Sequence, residues 1–135
     1  MSARRKARKR ALDFLYEADL RGAQALELYS SRPSEDLSQE AYVGSLLTGI
    51  AHYQVKIDEL ITTYAEGWDM DRMPPIDRNL LRLSMYEILW ESELDEKIAV
   101  NEAIEMATEL STVDSASYIN GVLGRIIALK SSILS

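Results

Sequence analysis

The chain of 135 residues carries 15 Lys and Arg against 22 Asp and Glu, a net charge of −7, and is 47% hydrophobic, which suits one folded domain with a genuine core. It has no cysteine, so a disulfide framework, a thiolate nucleophile and a Cys-based zinc site are excluded, and the composition fits a reducing compartment, with cytoplasm the expected location. Asp13, Glu17 and Asp19 interrupt what would be the apolar region of a signal peptide and argue against a transit peptide, and no apolar run approaches the roughly 20 residues of a membrane-spanning helix.

The charge is unevenly placed. Arg4, Arg5, Lys6, Arg8, Lys9 and Arg10 crowd the first ten residues without one carboxylate, which leaves nine Lys and Arg against 22 Asp and Glu in the remainder. Such a cationic arm on an anionic body engages polyanions locally and in one orientation. In the same segment Ala7, Ala11, Phe14, Leu15 and Ala18 recur at steps of three and four, predicting a helix that Gly22 ends. Arg5, Lys9, Leu12 and Tyr16 fall along another line of that helix, so cations and an aromatic share a surface. A short helix is expected over Ala23 to Tyr29, then an exposed loop over Ser30 to Asp36.

From Gln39 to Glu66, Tyr42, Leu46, Ile50, Tyr53, Ile57, Leu60, Ile61 and Tyr64 keep helical spacing, predicting one long helix or two with a bend near Gly49 to Tyr53, stopped by Gly67. Trp68 to Met73 is a connector, and Pro74 and Pro75 mark the next helix start. Ile76 to Trp90 is apolar on several faces, as expected of a central helix. A further helix carries Val100, Ala103, Ile104, Ala107 and Leu110, with Asp95 or Asn101 available as caps and an acidic exposed side. The last starts near Asp114 and Ser115 and runs toward Lys130. No segment alternates like a strand, so the class is all-α, with six or seven helices packed as bundles.

Enzymatic motifs are missing. His52 stands alone in a helical pattern, no Glu-x-x-His pair suggests a di-metal bundle, and Gly121-Val122-Leu123-Gly124 fits neither a phosphate loop nor a nucleophile elbow. No metal or cofactor is expected. What remains is Arg4, Arg5, Arg8 and Lys9 within two turns, with Tyr16 offering a ring on which a base can stack. Exposed bases and aromatic stacking favour single-stranded RNA over an A-form duplex, whose base edges lie in a deep groove. A solvated charge run with Tyr16 in the core is the competing explanation.

Three segments in order, Ala3-Arg-Arg-Lys-Ala-Arg-Lys-Arg-Ala-Leu12, Ile98-Ala-Val-Asn-Glu-Ala-Ile-Glu-Met-Ala107 and Asp114-Ser-Ala-Ser-Tyr-Ile-Asn-Gly-Val-Leu123, together with Ile76-Asp-Arg-Asn-Leu-Leu-Arg-Leu-Ser-Met-Tyr-Glu87, resemble the NusB antitermination factor family over nearly the entire chain. The resemblance implies about seven helices in two packed three-helix bundles, forming a single domain over residues 1–135, and no catalysis. It also implies binding to boxA RNA with the ribosomal protein NusE. Its setting would be an elongating RNA polymerase complex with NusA and NusG, acting chiefly on ribosomal RNA operons.

By the same resemblance the first and last helix starts form the RNA surface, which assigns Arg4, Arg5, Arg8 and Tyr16 from one and Asp114, Ser115 and Tyr118 from the other. Asp114 has a second reading as a helix-capping charge. Asp77 and Arg78 are the expected NusE contacts, with charging of a helix turn as the alternative for Asp77. Gly121 is expected to permit close helix packing. A protein-only assembly or homodimerisation module, docking its basic arm on an acidic surface, is the alternative function, and a targeting domain that works beside an RNA-modifying enzyme is a third.

Overall fold

The computed structural model describes residues 2–32 and 39–135, and those residues form helices and connecting turns only. The expected loop over Ser30 to Asp36 begins as expected only in part, since Ser30 closes a helix, and its residues 33–36 lie outside the described residues. In chain order the helices are α1 (Ala3–Arg21), α2 (Ala25–Ser30), α3 (Glu40–Tyr64), α4 (Pro75–Trp90), α5 (Glu96–Leu110), α6 (Val113–Ala128) and α7 (Lys130–Leu134), with a 3-10 turn at Met70–Arg72 before α4.

Helix α1 starts at Ser2, whose hydroxyl accepts from the Arg5 amide, and ends at Gly22 in the left-handed conformation (φ 65°), a cap that glycine adopts without steric cost. Pro75 opens α4 at the position where a missing N–H costs nothing. Helix α4 packs against α1, α3, α5 and α6, which explains its apolar residues on several faces. Leu80, Leu81, Leu83, Met85 and Ile88 are all buried, and they join Leu12, Leu46, Ile50, Ile61, Met106, Ile119 and Leu123 in one continuous core. No described helix is long and apolar enough to cross a membrane.

Two glycines act differently from what spacing suggested. Helix α3 runs unbroken through Gly49 for 25 residues, so the single long helix forms and the glycine does not divide it. A Cβ at Gly49 would instead overlap the ring of Tyr86, so the glycine lets α4 approach. That ring belongs to an aromatic group in which Tyr53 and Trp90 stack at 4.0 Å. Gly121 is the converse, since a Cβ there meets nothing within 4 Å and the residue is exposed on α6. Close packing therefore does not explain it.

Opposite responses to the same substitution follow. Gly121→Ala should stabilise by roughly 1 kcal/mol through helix propensity alone. Gly49→Ala gains the same propensity but forces the Tyr86 ring out of its packing, a cost of about 1 to 3 kcal/mol, so it should be neutral to destabilising. Urea midpoints of the two variants test this, and a Gly49→Ala variant as stable as Gly121→Ala would refute the close-approach explanation.

Candidate nucleic-acid interface

The first two turns of α1 present Arg4 and Lys6 to solvent, with Arg5, Lys9 and Arg10 half-buried beside them. No acidic residue occupies the first turn. These cations therefore add to the positive end of the helix dipole, where stabilising charge would ordinarily be negative, and the combination attracts an anion. The Arg4 guanidinium lies over the Tyr42 ring at 3.7 Å, a cation–π contact that steadies it.

Helix α5 runs beside α1 in the same direction and meets the cations with carboxylates. Arg5 donates to Glu102 and Glu105, and the Lys9 ammonium lies 2.5 Å from Glu109. Arg10 pairs with Glu40 at 2.9 Å and lies over the rings of Phe14 and Tyr29. The Arg5 guanidinium's hydrogen bonds to Glu102 and then Glu105 hold it more firmly protonated than usual. The expected row of free cations is thus a mixed seam, and among the described residues only Arg4 and Lys6 of the arm make no ion pair.

Arg8 corrects the expectation that it contacts phosphate. Its side chain is 2% exposed, and its Nε donates to both oxygens of Glu87, at 2.9 and 3.0 Å, which is itself 1% exposed. The Tyr42 hydroxyl donates to the same carboxylate. Burial alone would lower the Arg8 guanidinium, but the Glu87 hydrogen bond and charge outweigh it and hold it above its ordinary value. Burial, then Glu87, likewise raises the Tyr42 phenol. This ion pair ties α1 to α4. Leu12, on the line between Lys9 and Tyr16, is fully buried, so the cations and Tyr16 are separated by a core contact. Tyr16 itself is half-buried, between the two readings that spacing allowed.

The start of α6 sorts its three candidates. Thr112, rather than Asp114 or Ser115, is the N-cap, accepting from the Ser115 amide at 2.9 Å. Asp114 is exposed in the first turn. Ser115 is a correction, because its hydroxyl is buried and donates to Asp77 Oδ2 at 2.8 Å. Tyr118 follows Asp114 one turn later, half-exposed, with its hydroxyl donating to the Glu66 carbonyl at 2.6 Å and its ring edge-on to Trp68. Burial raises its phenol. Lys9 reaches Glu109 near the end of α5, and the next helix begins at Val113, so the basic row and the α6 start adjoin.

Asp77, expected on a docking surface, is completely buried and cannot touch a partner. Its place in the first turn of α4 and its bond to Ser115 make it a clasp between α4 and α6. Arg78 is largely committed as well, donating to both oxygens of Asp19 at 2.5 and 3.0 Å. Residues to which sequence reasoning assigned no role in the site include Glu87, Tyr42 and the row Glu102, Glu105 and Glu109. The last was visible as a spacing of three and four on α5 matching the spacing of Arg5 and Lys9 on α1.

Comparison with known proteins accords with this architecture. The sequence model of the NusB family matches residues 5–128. The chain is 49% identical over 130 residues to the transcription antitermination protein NusB of Salinispora tropica, covering 93% of this chain and 96% of that one. The solved NusB of T. maritima superposes with a TM-score of 0.85 at 29% identity, over 95% of this chain and 92% of that one. A NusB solved with NusE and double-stranded RNA shares the fold, with a TM-score of 0.78 at 24% identity over 95% of this chain and 98% of that one. The chain belongs to the NusB family of transcription antitermination proteins.

Proposed function

We propose that the protein is a non-enzymatic RNA-binding adaptor that seats a boxA-like single strand across the start of α1 and the start of α6 and works with NusE. The observation that carries this is the first two turns of α1, where Arg4, Arg5, Lys6 and Lys9 reach solvent at the positive end of a 19-residue helix with no acid in its first turn. Guanidiniums hold phosphates in a fixed register, and Tyr16 and Tyr118 offer partly open rings to bases. Asp114 stands where it could accept from a base edge. The buried Arg8, Ser115 and Asp77 support this surface from beneath.

NusE is the protein partner that the family suggests, and the strongly acidic body suits a basic ribosomal protein. The larger assembly is an elongating RNA polymerase complex with NusA and NusG, in the cytoplasm, on ribosomal RNA operons. The testing experiment is a titration with a boxA-like strand, a scrambled strand of equal length and a duplex, each with and without NusE. Preference for the boxA-like strand is expected, and equal affinity for all three ligands in both conditions would refute the reading.

Variants separate the contacts. Arg4→Gln with Arg5→Gln should weaken binding and reduce the slope of log K against log salt by about 1.4, from about 0.7 for each lost single-strand phosphate contact. Tyr16→Ala should cost roughly 1 to 3 kcal/mol with the slope unchanged if a base stacks there. An unchanged slope in the first variant would count against Arg4 and Arg5 as phosphate ligands.

A further inference from the structure

The carboxylates of α5 that face the basic helix are unusually placed for a stabilising role. Glu102, Glu105 and Glu109 recur at steps of three and four, so they share one edge of α5. Glu105 and Glu109 are 60% and 50% exposed, whereas their partners Arg5 and Lys9 are 20% and 21% exposed. The carboxylates stand outermost and the cations are recessed behind them. Ion pairs with so exposed a member add little to stability, about 0 to 1 kcal/mol. Their effect on an approaching polyanion is larger, because a phosphate that reaches Arg5 or Lys9 must displace a charge of its own sign.

We infer that Glu105 and Glu109 are specificity-determining residues of this face, holding Arg5 and Lys9 close to neutral so that phosphate attraction alone retains RNA only weakly. The inference rests on the reading of α1 as an RNA surface. Phosphate contacts carry no sequence information, so a face that bound them strongly would hold any strand. With the outer carboxylates in place, a strand has to add base contacts, or a protein partner has to add its own surface, before the cations are released to it. Glu102, 16% exposed and close to both Arg5 and Arg8, belongs to the internal support instead.

The test is the double variant Glu105→Gln/Glu109→Gln beside a control, Glu27→Gln/Glu59→Gln, which makes the same change in net charge at exposed positions on α2 and α3. Binding of a scrambled single strand and of a boxA-like strand is measured across a salt series in the full-length protein, after circular dichroism has shown the fold intact. The variant should bind the scrambled strand on the order of tenfold more tightly at 0.1 M salt, with the slope steeper by about 1.4, while the control stays within about twofold of the parent. An unchanged slope and affinity, with the parent still binding the boxA-like strand, overturns the inference and leaves the RNA reading standing. An equal gain in the control overturns it too, by reducing the effect to net charge. Absence of binding to either strand by parent and variant removes the RNA reading itself, and the inference with it.

Discussion

Arg8→Ala is expected to destabilise the fold by about 3 to 5 kcal/mol, the largest effect of any substitution in the basic arm. The side chain and its partner Glu87 are both nearly inaccessible, so truncation leaves a carboxylate buried without its charge partner, and the desolvation cost of that group is no longer offset. Tyr42 would still donate to Glu87, but one neutral donor does not replace a guanidinium. A double replacement, Arg8→Met/Glu87→Leu, removes both charges and should recover most of the loss, since buried ion pairs are often matched by apolar groups of similar volume. Urea unfolding measures both. The same pair of variants addresses RNA, because a structural Arg8 predicts that the double variant keeps the parent's salt slope, whereas a phosphate ligand would lower it by about 0.7. A single variant as stable as its neighbour Lys9→Ala would refute the buried pair.

Arg8 also shows where reading along one helix stops. The apolar stripe of α1 was legible because Ala7, Ala11, Phe14, Leu15 and Ala18 repeat at helical steps, and the structure buries each of them. Arg8 lies between stripe and basic face, and only the position of Glu87, 79 residues away on α4, turns it inward. Ser115 and Asp77 illustrate the same limit, being surface residues by type that become interior through each other. The helix boundaries were more accessible, since Gly22, Pro75 and Asp95 act through their own backbone and nearest amides. Even there Thr112 took the cap from Asp114 and Ser115, because all three are competent and the packing of Ser115 on Asp77 decides which side chain remains free. The candidate site follows suit, with Arg4, Arg5, Tyr16, Asp114 and Tyr118 reachable from the sequence, whereas the carboxylates of α5 were visible as a spacing whose pairing with Arg5 and Lys9 only the fold supplies.

Asp19→Ala should cost about 2 to 4 kcal/mol at neutral pH, and the cost should shrink on acidification. The carboxylate accepts from Arg78 at 2.5 and 3.0 Å, from Asn79 at 2.8 Å and from Arg82 at 3.3 Å, and Arg82 continues to Asp58 at 2.9 Å. One acid thereby fixes the end of α1 to α4, with α3 attached through Asp58. Its loss leaves two guanidiniums, 16% and 12% exposed, competing for the remaining acceptors. Burial by itself would raise the Asp19 carboxyl, but the hydrogen bonds from Arg78 and Asn79 and the charges of both arginines outweigh it and hold it below its ordinary value of 3.8. A carboxyl depressed in the folded state binds its proton more readily once unfolded. Its stabilisation is therefore complete above the ordinary carboxylate range and is lost as pH falls through 3.8 toward the folded value. Other carboxylates also titrate there, Glu17 among them, brought to about 2 by Arg32 and Arg21, so the parent's own acid sensitivity is not diagnostic. The difference between parent and Asp19→Ala cancels those contributions. Urea unfolding from pH 7 to pH 3 should show that difference narrowing, and a constant difference would mean that Asp19 acts through packing and not through its charge.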